Sequence, residues 1–269
     1  MNQGPARRLT ITAFQLVILV AFLAIWQFLP KVGKLATSTV FLDPFFISSP
    51  ERIGRTLWHL SRGEQGVLVW PYVWDTVMAS LLGVVIGIVA GGAFGLLLSN
   101  SPYLSDLFQP FVVAANAVPR IALIPIVVII FGPTTKASIV IAVMVVFFLA
   151  FYNAYEGGKT VPQQVLQNVQ ILGARRLQTM RRVRLPYAFA WIMASLPLAT
   201  TFALLTVVAG EILTGSQGIG KLITQALAAS NSDLTFALVV ILAIVGMAIT
   251  ALSSVLRRVV LHWWDAEHA

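Results

Sequence analysis

Long apolar segments alternate with polar connections along most of this chain. A helix needs about 20 mostly apolar residues to cross the ~30 Å hydrocarbon core of a membrane, and six stretches approach or exceed that length. They lie at residues 10–29, 76–99, 109–131, 137–154, 187–210 and 234–256. The pattern predicts an all-α integral membrane protein with six transmembrane helices, whose charges collect in the connections because charge in hydrocarbon is costly.

The first apolar run, Ile11–Leu29, follows Arg7-Arg8 and admits two interpretations. A secretory signal peptide has a shorter apolar core and a small-x-small cleavage site. The run is long and no clear site of that kind follows, so a retained first span is favoured. Trp26 and Pro30 would close it near an interface.

A second helix is predicted in the connection after the first span. Ser49-Pro50-Glu51 combines an N-cap residue, a first-turn proline and an acid, which favours a helix start. Ile53, Leu57 and Leu60 then fall on one face. We expect an amphipathic helix to about Leu60 that lies along the membrane surface.

Four glycines follow one another at four-residue spacing in the second span: Gly83, Gly87, Gly91 and Gly95. This spacing places them on one stripe of a helix, where a neighbouring backbone can approach closely. The stripe predicts a tight helix–helix contact, with a partner either in the same chain or in a second subunit.

Prolines interrupt the third apolar stretch at Pro119-Arg120 and at Pro125. Because proline removes a helical hydrogen bond, the freed carbonyl groups need protein or water as partners. We expect this segment to be kinked and buried rather than to face lipid. Gly132-Pro133 ends it.

Composition narrows the function classes. The chain is 58% hydrophobic and 10% charged, with a net charge of +8 and no cysteine. Excess Lys and Arg in cytoplasmic loops accounts for the charge, so nucleic acid is not expected as a partner, and disulfides and thiolate sites are excluded. With both termini cytoplasmic, ten Lys or Arg residues lie inside and seven outside, most of the seven in one long loop. Trp263-Trp264 would be an interfacial anchor.

A polar stretch at residues 155–186 holds five arginines within ten residues: Arg175, Arg176, Arg181, Arg182 and Arg184. Its apolar residues keep helical spacing on both sides of Gly173. This predicts two short amphipathic helices that meet at a glycine turn, before the fifth span begins at Leu185-Pro186. An ordinary cytoplasmic loop is the alternative, and composition alone leaves both open.

The spacing within this stretch resembles the conserved cytoplasmic loop of the transmembrane subunits of ABC importers. That loop opens with Glu-Ala-Ala, has Gly after three further residues, and closes with Ile-x-Leu-Pro. Here Gly173 is followed after nine residues by Val183-Arg184-Leu185-Pro186, while Gln167-Asn168-Val169 replaces the opening triplet. Other segments look like the branch that handles sulfonates, taurine and nitrate. These are Leu172–Arg176, Ala122–Pro125, Ala209–Glu211 and Gly218–Gly220.

The resemblance covers roughly residues 75–258 and implies a permease subunit of an ATP-driven importer in a bacterial cytoplasmic membrane. It would be a homodimer without enzymatic activity, and ATP and magnesium would bind to separate ATPase subunits. An extracytoplasmic solute-binding protein and membrane lipid are the other expected partners. The loop would dock on the ATPase, with Pro186 acting as a helix stop that fixes the angle to the fifth span. The expected coupling residues are Gln167, Gly173, Ala174, Arg175, Arg176, Leu185 and Pro186.

This reading divides the chain into three parts. Residues 1–74 hold the first span and the extracytoplasmic connection, 75–258 the transporter domain, and 259–269 a cytoplasmic tail. A self-contained secondary transporter or channel is the alternative function, although no internal repeat supports it. No catalytic or metal site is expected, because the three histidines are scattered.

Two features could be sites in the membrane domain. Residues 215–221 nearly spell a phosphate-binding loop, but Leu222 stands where Ser or Thr is required and no strand precedes it. A flexible loop near the outer mouth is expected instead. Arg120 and Glu211 are charges in or beside hydrocarbon, which usually face a cavity or a partner, and Arg120 would be available to an anionic solute. Asn116, Thr201 and Thr206 are weaker candidates for the pathway lining.

Overall fold

The computed structural model describes residues 5–28, 47–63 and 68–262, and all regular secondary structure in these ranges is helical. The expectations for Pro30 and for Trp263-Trp264 lie outside the described residues. The described helices are α1 (Pro5–Phe28), α2 (Pro50–Arg62), α3 (Val69–Ser99), α4 (Pro102–Ala117), α5 (Arg120–Phe131), α6 (Thr135–Lys159), α7 (Gln163–Ile171), α8 (Arg176–Thr179), α9 (Leu185–Thr214), α10 (Ile219–Ala228) and α11 (Ser232–Val260).

Within the described ranges, five helical segments are long and apolar enough to cross a membrane: Thr10–Phe28, Val69–Ser99, Thr135–Lys159, Arg176–Thr214 and Ser232–Val260. Helices α4 and α5 pass the same test only as a pair, and they are bent by 86° at the break between them. The multi-pass, all-helical prediction is therefore confirmed.

The chain divides into two compact units, Met1–Val69 with Gln225–Ile241 and Trp70–Thr224 with Leu242–Ala269. The first unit contains the helix predicted from Ser49-Pro50-Glu51. Ser49 is its N-cap, with a side chain that accepts from the backbone N–H of Arg52 at 3.5 Å. The helix ends at Gly63, whose φ of 70° is left-handed.

In the second unit, the glycine stripe of α3 packs against α6 of the same chain. The facing pairs are Gly83 and Ala142, Gly87 and Val146, Gly91 and Phe147, and Gly95 and Phe151. A Cβ at Gly91 or Gly95 would collide with a backbone carbonyl oxygen of α6, so only glycine permits this approach. Because residue numbers rise together along both helices, α3 and α6 are parallel.

Helix α9 runs in the opposite direction and packs against both of these helices. Gly157 near the end of α6 faces Trp191 near the start of α9, and Gly210 near its end faces Ile141. Small and branched residues of α3, α6 and α9 form the core: Ala79, Val84, Ala142, Val146, Leu196, Ala199, Ala203 and Val207. Helix α11 in turn runs opposite to α9, since the hydroxyls of Thr201 and Thr250 lie 3.2 Å apart and Gly246 faces Leu204.

The third apolar stretch is kinked, as predicted, but it is not buried. Helix α4 ends at Ala117 and α5 begins at Arg120 after a right-angled break. In α5 only Ile124 and Val127 are buried, whereas Ile129 is 83% exposed. The prediction of burial was wrong for the single chain, because the twelve residues of α5 pack against α6 and α9 through one narrow face and leave the others uncovered.

Candidate functional site

The arginine-rich stretch forms two helical segments that meet at Gly173. Helix α7 ends at Ile171, and Gly173 takes a φ of 77°. The N–H groups of Gly173 and Ala174 donate to the carbonyls of Gln170 at 2.9 Å and Val169 at 3.1 Å. These bonds satisfy carbonyl groups that a helix end otherwise leaves unpaired. A Cβ on Gly173 would meet no atom within 4 Å, so backbone conformation, rather than space, requires the glycine.

The tip of this turn is apolar and exposed. Ile171 is 82% exposed and Leu172 is 85% exposed, and Gln167, Arg175 and Arg176 are also exposed, while Ala174 is half-buried. The backbone N–H of Arg175 donates to Oε1 of Gln178 at 2.7 Å, which starts α8. An exposed apolar tip beside basic side chains suits a surface that another protein covers.

Pro186 does not stop a helix. From Arg176 to Thr214 the chain is one helical run, with a wide π-helical turn at Met180–Arg184 just before Pro186. Proline has no N–H to donate and its ring crowds the preceding turn, and a π-helical turn at this point accommodates both effects without ending the helix. Leu185, which precedes the proline, donates its N–H to the carbonyl of Met180. The expected proline stop was therefore wrong, and the loop is continuous with α9.

One side chain ties this stretch to the rest of the unit. Nη1 of Arg184 donates to the carbonyl of Ser99, the last residue of α3, at 2.7 Å. Helix C-termini leave such carbonyls without an intrahelical donor, and a guanidinium stabilises the negative end of the helix dipole. Arg184 thus links the loop to α3 as well as to α9.

Arg120 lies at the break between α4 and α5. Its guanidinium donates to Oδ1 of Asn116, and its Cζ lies 4.8 Å from the ring centroid of Phe148 on α6. A cavity of about 200 Å³ opens beside these groups. Its lining consists of Asn116, Arg120, Val145, Phe148, Leu149, Tyr152 and Phe202. The structure therefore brings Arg120 and Asn116 together.

The two threonines are not in that cavity lining. The Thr201 hydroxyl is exposed and bonds to Pro197 of its own helix and to Thr250. The Thr206 hydroxyl donates to the carbonyl of Phe202 at 2.6 Å within α9. A hydroxyl bond to a carbonyl one turn earlier in the same helix is a common arrangement for threonine.

Glu211 has no exposed surface. The Thr76 hydroxyl on α3 lies 2.9 Å from its Oε1 and 3.0 Å from Oε2, and the N–H of Gly220 donates to Oε2 at 2.9 Å. Thr76 Oγ1 also accepts from the N–H of Ile219 at 2.9 Å. The carboxyl thus joins α3, α9 and the start of α10, and in this conformation it does not line an open surface.

The loop before α10 is compact and not the flexible segment that we expected. Ser216 is 1% exposed, and Gly218 and Gly220 are buried. A Cβ on either glycine would collide with the Glu211 side chain, at 2.6 Å from Cβ of Glu211 in the case of Gly220. The glycine pattern that resembles a phosphate-binding loop therefore surrounds a carboxyl of the same chain. The sequence analysis did not predict that these glycines pack around Glu211. The available signal was an acidic residue at the end of an apolar span, followed closely by Gly218 and Gly220.

Among the described residues, no cluster of three or more His, Cys, Asp or Glu is placed to hold a metal ion. The site features are thus an exposed turn at Gly173, a cavity beside Arg120 at the break between α4 and α5, and a hydrogen-bonded carboxyl at Glu211.

Comparison with known proteins gives consistent matches. Residues 83–264 match the family described as binding-protein-dependent transport system inner membrane component. A probable ABC transporter permease protein of Haemophilus influenzae is 28% identical over 234 residues, which are 87% of this chain and 91% of that protein. The taurine transport system permease protein TauC of Escherichia coli is 24% identical over 225 residues, 82% of each chain. The inward-facing MetNI methionine ABC transporter shares the fold, with a TM-score of 0.63 at 20% identity, covering 77% of this chain and 98% of that chain.

Proposed function

The chain belongs to the family of binding-protein-dependent transport system inner membrane components, and from this premise we propose that it forms the solute pathway of an ATP-driven ABC importer. The family match, which covers most of the second unit, is the observation that carries the proposal. The energy comes from separate ATPase subunits that bind ATP and magnesium, and the solute is delivered by an extracytoplasmic binding protein. The chain itself is not an enzyme in this proposal.

Six membrane crossings agree with the helix directions. Ser99 at the end of α3 faces Gly158, near the end of α6. Thr135, where α6 begins, is 23 residues before Gly158, or about 35 Å at ~1.5 Å per residue. Because α3 and α6 are parallel, the chain between them must return over that distance. In this proposal the bent pair α4–α5 is therefore one crossing rather than a re-entrant loop. An even number of crossings puts both termini on one side, and the excess of Lys and Arg in the connections on that side assigns it to the cytoplasm.

In this topology the arginine-rich stretch lies on the cytoplasmic side, where the ATPase binds. The exposed tip at Ile171 and Leu172 would enter a cleft of the ATPase, with Arg175 and Arg176 at its rim. Since α8, the wide turn and α9 form one helical run, movement of the docked tip passes to α9 directly. The Arg184 bond to Ser99 passes it to α3 as well.

A second copy of the chain completes the pathway in this proposal. The exposed faces of α4 and α5 would meet lipid or the partner copy, and the pathway would lie along the side that holds Arg120, Asn116 and Thr201. Glu211 and Thr206 are buried within one chain, which supports a packing role for both more than a pathway role.

Substitution of Gly173 tests the docking function. Leucine at a φ of 77° costs about 1–2 kcal/mol of backbone strain, whereas asparagine tolerates left-handed backbone better. We expect Gly173→Leu to insert into the membrane normally but to lose most co-purification with the ATPase and most ATP-driven import, and Gly173→Asn to retain much of both.

Gly54→Leu is a matched control, because a Cβ there also meets no atom within 4 Å while the backbone is helical. Wild-type ATPase binding by Gly173→Leu would contradict the docking role. Import by the purified chain in vesicles without any ATPase would instead favour a self-contained transporter and overturn the proposed function itself.

A further inference from the structure

Arg120 lies at mid-depth of the second unit. Its guanidinium covers the ring of Phe148, which stands 13 residues after Thr135 and 11 before Lys159 in α6. These separations correspond to about 20 Å and 17 Å at ~1.5 Å per residue. A guanidinium at this depth is far from both membrane surfaces, so it requires a compensating partner.

Among the described residues, no carboxylate forms an ion pair with Arg120. Its neighbours are an amide oxygen of Asn116 and the face of an aromatic ring. Its Nε is buried and has no hydrogen-bond partner among the described residues. A buried donor of a charged group without an acceptor is costly, so the site is one acceptor short.

The start of α5 adds to the positive potential. Arg120 is the first residue of this twelve-residue helix, and Pro119 before it supplies no side-chain cap. The first N–H groups of a helix carry partial positive charge and favour anions. Half-helices in transporters direct such ends at anionic groups of their solutes. The helix end and the guanidinium therefore favour the same kind of ligand.

The cavity at these groups matches a small solute. Its volume is about 200 Å³, and its walls combine aromatic and aliphatic side chains with Asn116 and Tyr152. Apolar walls with a few polar groups are typical of small-molecule sites.

We propose that this cavity is a mid-membrane subsite for an anionic group of the transported solute, with Arg120 as its counter-charge and Asn116 as the residue that orients the guanidinium. The proposal rests on the importer function above. An arginine supplies two parallel donors to a carboxylate, sulfonate or nitrate, and movement of the break between α4 and α5 would change access to them.

The absence of cysteine allows a direct test. In the full-length chain, co-expressed with its ATPase in membranes, Val145→Cys places a single thiol in the cavity wall. Two reagents of similar size are compared: negatively charged 2-sulfonatoethyl methanethiosulfonate and positively charged 2-(trimethylammonium)ethyl methanethiosulfonate. Gln217→Cys, an exposed position away from the cavity, gives the reference ratio of the two reaction rates.

The rate with the anionic reagent is divided by the rate with the cationic reagent, and the quotient for Val145→Cys is divided by that for Gln217→Cys. With Arg120 present, we expect this normalised ratio to exceed one. Arg120→Gln should lower that ratio about tenfold or more, since one unit charge at ~6 Å changes each rate about threefold even at the dielectric constant of water. Arg120→Lys should retain most of the preference. An unchanged ratio in Arg120→Gln, or a loss in Arg120→Lys equal to that in Arg120→Gln, would overturn the proposal. The labelling does not require ATP-driven import, so failure of ATPase binding would be recognised separately.

Discussion

Replacing Thr76 by valine removes one buried hydroxyl while keeping the shape of the side chain. That hydroxyl lies within hydrogen-bond distance of the Glu211 carboxyl and of the Tyr72 carbonyl, and it accepts from Ile219 N–H at 2.9 Å. Thr76 is 1% exposed and Glu211 has no exposed surface. In Thr76→Val, the Ile219 N–H loses its acceptor and the carboxyl keeps the Gly220 N–H as its donor.

The expected loss can be derived from these contacts. A buried polar group without a partner costs about 1–3 kcal/mol, and single interhelical hydrogen bonds in membrane proteins contribute about 0.6 kcal/mol on average and up to about 1.7. One orphaned N–H and one lost carboxyl donor together predict a decrease of about 2–3 kcal/mol in the free energy of unfolding. No cavity term is added, because valine fills the same volume.

Two variants separate the hydroxyl from other effects. Thr76→Ser keeps the hydroxyl and loses one methyl group, which predicts a loss of about 0.8 kcal/mol. Thr206→Val removes a hydroxyl that bonds only its own helix carbonyl, so we expect a change within about 0.5 kcal/mol. The assay is equilibrium unfolding of the purified chain in mixed detergent micelles, followed by circular dichroism. Equal stabilities of Thr76→Val and Thr206→Val would refute the reasoning.

Two further predictions concern helix packing and the loop. Gly91→Ala should prevent proper packing of α3 on α6 and lower the yield of folded protein, because its Cβ would strike the backbone carbonyl of Phe147. Gly92→Ala should be tolerated, because its Cβ meets only the flexible end of Ile192 at 2.9 Å. Equal yields of the two variants by size-exclusion chromatography would contradict this prediction. Arg184→Gln should leave ATPase binding intact but lower the amount of solute imported per ATP hydrolysed, since it removes the bond to the end of α3. An unchanged ratio of import to ATP hydrolysis in reconstituted vesicles would exclude a role of this bond in coupling.

Local sequence patterns predicted much of the helical architecture. Apolar length and the four-residue glycine spacing depend on residues within one helix, and the start at Ser49-Pro50-Glu51 depends on adjacent residues. The turn at Gly173 followed from spacing as well. These features could be predicted because helix geometry relates nearby residues by a fixed rise and rotation per residue.

The surroundings of the charged residues could not be predicted in this way. Thr76 and Glu211 are 135 positions apart, so no periodicity relates them. The pattern at residues 215–221 predicts a flexible loop, whereas Gly218 and Gly220 pack against the Glu211 side chain. The same applies to Pro186, where a wide turn takes the place of the expected helix stop. A sequence records which groups need partners, but packing between distant helices selects the partners, because contact free energies depend on the three-dimensional arrangement and not on chain order.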